Sequence, residues 1–380
     1  MIYNFAFCND KTYGYIFSIQ VIDVIASIID ISWLFTGMED FKKIVIRNTL
    51  VKIVGLIIIF IFVKSPNDLI IYVLSYSSTL FLGNLSMWVY CPKYIKKVKI
   101  SSLKIKRHII PAISLFLLQI ASSVYTMLDK TMIGALTHIF EEVAYYEQSQ
   151  KIIKATMALS ISLGSVMLPR IANLQKKGKI NEVKENIYSS FQIISLMTWP
   201  LCFGIIGTTK GLVPWFFGAG FDKVIFNMYL ISPIIIIIGY SSIIGVQFLL
   251  PTGRQKEFSI SLFVGTFSNL LSNFILIPYL LSYGAAIGTV IAELCVTSLQ
   301  FYFIRNYFEL RKVFYLIYKY IIASVFMMLI LFLVSGVLPT GIIYTMIEII
   351  IGIVVYFEIL IILKDKSLIM LLNKIIKKKG

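Results

Sequence analysis

Long apolar runs alternate with short polar segments from one end of the chain to the other. Eleven runs stand out, at about 14–36, 43–63, 69–91, 109–134, 143–168, 186–208, 224–249, 258–280, 283–304, 314–336 and 341–363. At 1.5 Å per helical residue, each is long enough to cross a hydrocarbon core of ~30 Å. The runs are continuous, whereas a membrane barrel would show short strands of alternating polarity. The pattern predicts an all-α polytopic membrane protein of about 11 transmembrane helices.

The charges between the runs then predict orientation. Segments 37–47, 92–108, 169–185, 250–257, 305–313 and 364–380 fall on one side and hold 26 Lys and Arg against 7 acids. The opposite segments hold only Lys11, Lys64, Lys210 and Lys223, against 5 acids. Basic loops stay in the cytoplasm, so the C-terminus is expected inside and residue 1 outside the cell membrane. The net charge of +16 is then mostly topology, and nucleic acid is not expected as a partner. Hydrophobic residues make up 58% and charged residues 14%, far from a soluble average. Cys8, Cys91, Cys202 and Cys295 are scattered, with neither metal spacing nor a disulfide framework, and only His108 and His138 occur. No cofactor or metal is expected, and residues 1–13 lack the basic start of a signal peptide.

Charged groups inside the runs narrow the chemistry, because such groups are costly in lipid and tend to face a bundle interior or a wet cavity. In the fifth run Glu147, Lys151 and Lys154 follow i, i+4, i+7, which is one helical face. Lys154 lies roughly 16 Å in, near mid-membrane. Gln20, Asp23, Ser27 and Asp30 make a stripe on the first run. Gln119, Ser122, Thr126, Asp129 and Lys130 make one on the fourth, and Thr289, Glu293, Thr297 and Gln300 one on the ninth. The Ser and Thr of these stripes read as interhelical hydrogen bonds. The lysine face reads as the wall of a cavity. Asp129 with Lys130 reads equally well as a local pair. With Lys52 on the second run and Arg170 at the inner rim, such a cavity is cationic and suits an anionic ligand, phosphate or diphosphate above all. Asp23 and Asp30 are candidates for an ion site or a structural role. Glu348 and Glu358 on the last run are expected to pair with a lysine such as Lys319. The segment Thr209–Lys223, rich in Trp and Phe, is expected as a short interfacial or re-entrant helix.

Four stretches then become specific: Ile31-Ser-Trp-Leu-Phe-Thr-Gly-Met-Glu-Asp-Phe41; Ser123-Val-Tyr-Thr-Met-Leu-Asp-Lys-Thr-Met-Ile-Gly134 with Tyr146-Glu-Gln-Ser-Gln-Lys151; Ser165-Val-Met-Leu-Pro-Arg-Ile-Ala-Asn173; and Val213-Pro-Trp-Phe-Phe-Gly-Ala-Gly-Phe221. Together they resemble the polysaccharide repeat-unit flippases (Wzx, RfbX-like) of the multidrug/oligosaccharidyl-lipid/polysaccharide exporter superfamily. The resemblance implies a fold of two six-helix lobes and two extra helices. It also implies translocation of undecaprenyl-diphosphate-linked oligosaccharide units for capsule, O-antigen or exopolysaccharide assembly by alternating access. The implied partners are the lipid-linked substrate, membrane lipids and a polymerase of the same pathway. On that template, residues 1–91 are three helices of a partial N-lobe. Residues 92–108 are a basic inter-lobe linker, 109–304 a six-helix C-lobe, and 305–380 the extra pair with a basic tail. The family's first three helices are expected to be missing.

Three other functions compete. An ion-coupled drug exporter of the same superfamily could use Asp23 and Asp30. An inactive fragment would follow from the short start. A membrane-bound polymerase or glycosyltransferase would need catalytic loops, and no loop here exceeds about 18 residues or carries an Asp-x-Asp or a Gly-rich nucleotide motif.

Overall fold

The computed structural model describes residues 11–38, 40–94 and 127–365. The greater part of the 92–108 linker, the stripe residues Gln119, Ser122 and Thr126, and the tail from residue 366 lie outside the described residues. The chain divides into two compact units, Met1–Pro111 and Ala112–Gly380. Among the described residues nine helices are long and apolar enough to cross a membrane. The protein is an all-helical, multi-pass membrane protein; the nine spans fall at every predicted run except the fourth, described only from residue 127, and the fifth, which is helical but not among those nine.

The first unit holds α1 (Lys11–Ile28), α2 (Ser32–Gly37), α3 (Phe41–Phe62) and α4 (Leu69–Met87). The chain breaks between α1 and α2, where Asp30 Oδ1 accepts the Ser32 amide at 2.8 Å. A short Asp side chain competes well for backbone donors, so it ends helices more readily than it continues them. Asn84 staples three helices together. Its amide donates to the Ala26 carbonyl of α1 at 2.7 Å, and its carbonyl accepts from Arg47 of α3 at 2.5 Å. Lys43 is held by Asp40 at 2.6 Å and among the rings of Phe35, Tyr90 and Tyr94. Phe35 and Asp40 of the first motif therefore serve packing in this unit.

The second unit contains α5 (described over 127–137), α6 (Phe140–Lys176), α7 (Ile180–Phe216), α8 (Asp222–Ile231) and α9 (Ile234–Ser241). A π-helical segment, Ser242–Leu249, follows, then α10 (Gln255–Leu280), α11 (Ser282–Ile304), α12 (Leu310–Ser335) and α13 (Ile342–Ile362). Helices α6 and α7 have 37 residues each, about 55 Å, so the basic segment 169–185 is mostly helix, with a tight turn at Gly178. The expected separate helix at 209–223 does not form. Helix α7 runs on to Phe216, and Trp215 donates to Thr345 of α13 at 2.8 Å, which fixes this end against its neighbour. Pro200 lies inside α7 and has no N–H for the Leu196 carbonyl. The Tyr356 hydroxyl donates to that carbonyl at 2.9 Å, so the helix continues through the proline with its freed backbone group satisfied.

Small residues let α10 and α11 lie close, as expected between membrane helices that have no hydrophobic drive to associate. A Cβ on Gly284 would sit 2.6 Å from the Leu276 carbonyl, and one on Gly288 would sit 2.2 Å from Asn273 Oδ1. The expected Glu348–Lys319 pair is absent. Lys319 instead donates to the Leu363 and Lys364 carbonyls at 2.7 and 3.0 Å and so caps the end of α13. Glu348 is buried against Gly211 of α7. A lysine reaching the last carbonyls of a helix meets both unpaired acceptors and the negative end of the dipole.

Candidate site in the second unit

Helices α5, α6, α10 and α11 each bring one polar stripe to a common point. Asp129 of α5 is at its centre. Its Oδ2 accepts from the Tyr146 hydroxyl at 2.5 Å and from Thr289 at 3.1 Å, and its Oδ1 accepts from Asn273 at 2.6 Å. Gln150, one turn beyond Tyr146 on α6, donates to the same hydroxyl at 2.5 Å. Asp129, Tyr146, Gln150 and Asn273 are all buried. In an apolar surround each of these bonds removes a large desolvation penalty, so the network fixes the relative placement of four helices.

A pocket of about 160 Å³ opens beside this network. Its polar lining is Asp129, Gln150, Lys154, Asn269, Thr289 and Glu293, with Met157, Ile234, Ile238 and Ala292 as the apolar part. Lys154 makes no hydrogen bond or ion pair among the described residues. The neighbouring lysines differ. Lys130 Nζ lies 3.1 Å and Lys151 Nζ 3.7 Å from the same Glu147 oxygen, so one carboxylate is shared by two ammoniums. The local charges balance, with Lys130, Lys151 and Lys154 against Asp129, Glu147 and Glu293. Among the described residues Asp129 and Glu147 are engaged by donors, whereas Lys154 is not paired.

The remaining sequence candidates are not among the residues that line this pocket. Arg170 is exposed, further along α6. Lys52 is exposed on α3 in the first unit. Asp23 is half-buried on α1 and its Oδ1 has no hydrogen-bond partner. Asp30 sits at the α1–α2 break, 3.9 Å from Arg47. The ninth-run stripe is mainly a helix-packing seam. Thr289 meets Asp129, Thr297 donates to the Ile237 carbonyl at 3.2 Å, and Gln300 donates to Ser261 at 3.3 Å. The sequence reading missed Tyr146, Gln150, Asn269 and Asn273. Asn269 and Asn273, at i and i+4 in an otherwise apolar run, carried a signal that could have found them. It also counted Arg47 as a loop charge, whereas its side chain is only 11% exposed and reaches Asn84.

The glutamate at the start of α6 has a different role. Glu142 is buried, accepts from the Ser282 hydroxyl at 2.5 Å and from the Ser282 amide at 3.2 Å, and pairs with Lys223. It ties α6 to the start of α11, where Leu281 adopts a positive φ of 56°. A carboxylate at a helix start is favoured by the free amides and the dipole.

The family profile described as polysaccharide biosynthesis protein matches residues 5–175. A Shigella dysenteriae protein named as an O-antigen transporter is 27% identical over 290 residues, covering 74% of this chain and 70% of its own. An Escherichia coli K12 protein of the same name is 26% identical over 276 residues, covering 72% and 66%. The solved structure of the lipid II flippase MurJ, in an inward closed conformation, superposes with a TM-score of 0.65 at 16% identity, covering 82% of this chain and 66% of that one. That likeness shows a shared fold. The chain thus spans about two thirds of the length of the proteins it matches. None of the three is named as an enzyme.

Proposed function

From the chain's kinship with the Wzx-like polysaccharide flippases, we propose that it moves lipid-linked oligosaccharide units across the cytoplasmic membrane. The proposal takes the cargo to be a polyprenyl-diphosphate-linked unit of a surface polysaccharide, passed outward to a polymerase. The C-terminus is then cytoplasmic, and the protein acts by alternating access rather than by catalysis. The observation that carries this reading is Lys154, an ammonium without a partner, beside a polar pocket on a membrane helix. Lys154 is exposed toward that pocket, and an unpaired cation at membrane depth is costly when alone and favourable beside a diphosphate. Lys130 and Lys151, bridged by Glu147, can release toward an anion, because the shared carboxylate holds two ammoniums where it needs one. Arg170, further along α6, would extend the positive path.

Flippase-deficient cells expressing the full chain test the proposal. Lys151→Gln/Lys154→Gln should lower surface polymer at least about ten-fold, equivalent to ~1.4 kcal/mol of lost binding or barrier stabilisation, with unchanged protein in the membrane. Replacement of both by Arg should retain part of the activity, since charge is kept while geometry changes. Normal polymer in the Gln variant would overturn the role given to the lysine face.

A further inference from the structure

We infer that the second unit carries a separate phosphate-binding hollow at the end of the membrane bundle opposite Glu142 and Ser282. Where α7 begins and α11 passes into α12, the surface encloses a hollow of about 800 Å³. Lys184 of α7, Arg305 of the α11–α12 connection, and Arg311 and Lys312 of α12 converge on it. Among the described residues Glu185 and Glu309 are its only acids, so the formal charge of its described lining is positive by two. None of these six side chains pairs with another within salt-bridge distance, although they share one hollow. Two of the cations are held by rings instead. Lys312 Nζ lies 4.4 Å from the Tyr188 ring centre, and the Arg305 guanidinium lies 3.6 Å from that of Tyr302.

The start of α12 sharpens the case. A helix start carries partial positive charge and unpaired amides, and it ordinarily attracts acids. This one has no acid in its first turn and no side-chain cap on its extended N-cap residue Glu309. Arg311 and Lys312 stand there instead, against the dipole. The topology rule explains why lysine and arginine are common at this face, but it counts residues and does not require them to surround one hollow. An anion resolves the conflict, because it would meet the amides and the four cations together. The planar guanidiniums and ring-held ammonium favour phosphate oxygens. The phosphate could belong to a lipid headgroup at the membrane surface or to a free phosphate compound. The orientation proposed above decides only which leaflet would supply the lipid, and the binding itself does not depend on it.

The test uses the full chain in nanodiscs. In discs of equal phosphatidylglycerol and phosphatidylcholine, native mass spectrometry counts the lipids retained. In discs of phosphatidylcholine alone, inorganic pyrophosphate is titrated. The variant Lys184→Gln/Arg311→Gln/Lys312→Gln removes three cations of the hollow. Lys176→Gln/Lys177→Gln/Lys256→Gln removes three basic residues elsewhere on the same unit. At roughly a five-fold effect per cation near a charged surface, the first variant should lose at least about ten-fold in retention or affinity, and the second less than about two-fold. Loss confined to phosphatidylglycerol assigns a lipid headgroup, and loss confined to pyrophosphate assigns a free phosphate. Equal behaviour of the two variants would overturn the site, as would a wild-type chain that neither prefers phosphatidylglycerol nor binds pyrophosphate. Should the triple variant unfold, Arg311→Gln alone carries the test with a roughly five-fold loss expected. A single variant that is folded and unchanged would equally overturn the site.

Discussion

Tyr146 shows how much a single hydroxyl can organise. It donates to Asp129, lies 2.8 Å from Thr289, and accepts from Gln150. Removing it strips a donor from a buried carboxylate and leaves the Gln150 amide without its acceptor. Membrane hydrogen bonds average about 0.6 kcal/mol and reach ~1.7. Tyr146→Phe, which touches several at once, should therefore cost about 1–2 kcal/mol in a reversible unfolding measurement in detergent. An unchanged unfolding midpoint would mean the network is not a tertiary tie. Lys154 lies on the next turns of the same helix face and is the contrasting case. Its neighbours satisfy one another, so its loss should spare stability and impair transport. These two residues separate the structural and the functional use of one polar face.

At the scale of elements, close approach and freed backbone groups decide what the helices can do. The α10–α11 pair turns back at Leu281, and Gly284 meets the backbone of Leu276 there. Backbone cannot step aside as a side chain can, so Gly284→Ala should destabilise by about 1–3 kcal/mol. Gly204→Ala, whose new methyl would meet only the Met327 tip at 3.6 Å, should be nearly neutral. Thermal unfolding of the two variants side by side checks this, and equal midpoints would contradict the packing described. The π-helical segment 242–249 beyond Pro233 holds Gln247, buried with its Oε1 unpartnered. Helix irregularities of this kind survive where surrounding packing over-determines them.

At the scale of the whole molecule, the apolar exterior and the one-sided basic segments make a prediction about placement. Cysteine introduced at Thr340 should react with an impermeant maleimide added outside cells, and cysteine at Lys177 should react only after the membrane is opened. Both positions are exposed on the protein, so a reversed pattern would reflect orientation and not burial. It would place the phosphate hollow and the α6–α7 turn outside the cell and remove the basis for an inward-facing entry path.

The sequence by itself determined the class, the runs that become helices, the expected orientation and the resemblance to the polysaccharide flippases. Each depends on quantities that add along the chain: hydropathy over about 20 residues, charge per connecting segment, and local motif. It also identified Asp129, Lys130, Glu147, Lys151, Lys154 and Glu293 as intramembrane charges, because any charge in an apolar run stands out. Only the tertiary structure decided which of these are spent on one another. Asp129 is engaged by donors from α6, α10 and α11, the last two more than 140 residues away in sequence. Glu147 is shared by two lysines, and Lys154 is left unpaired among the described residues. It also turned Lys319 into a cap where a partner for Glu348 was expected, and it assembled a basic hollow from α7 and α12. Pairing depends on which helices become neighbours, and in an all-helical membrane fold that choice rests on small residues and shape complementarity, which one-dimensional periodicity does not encode.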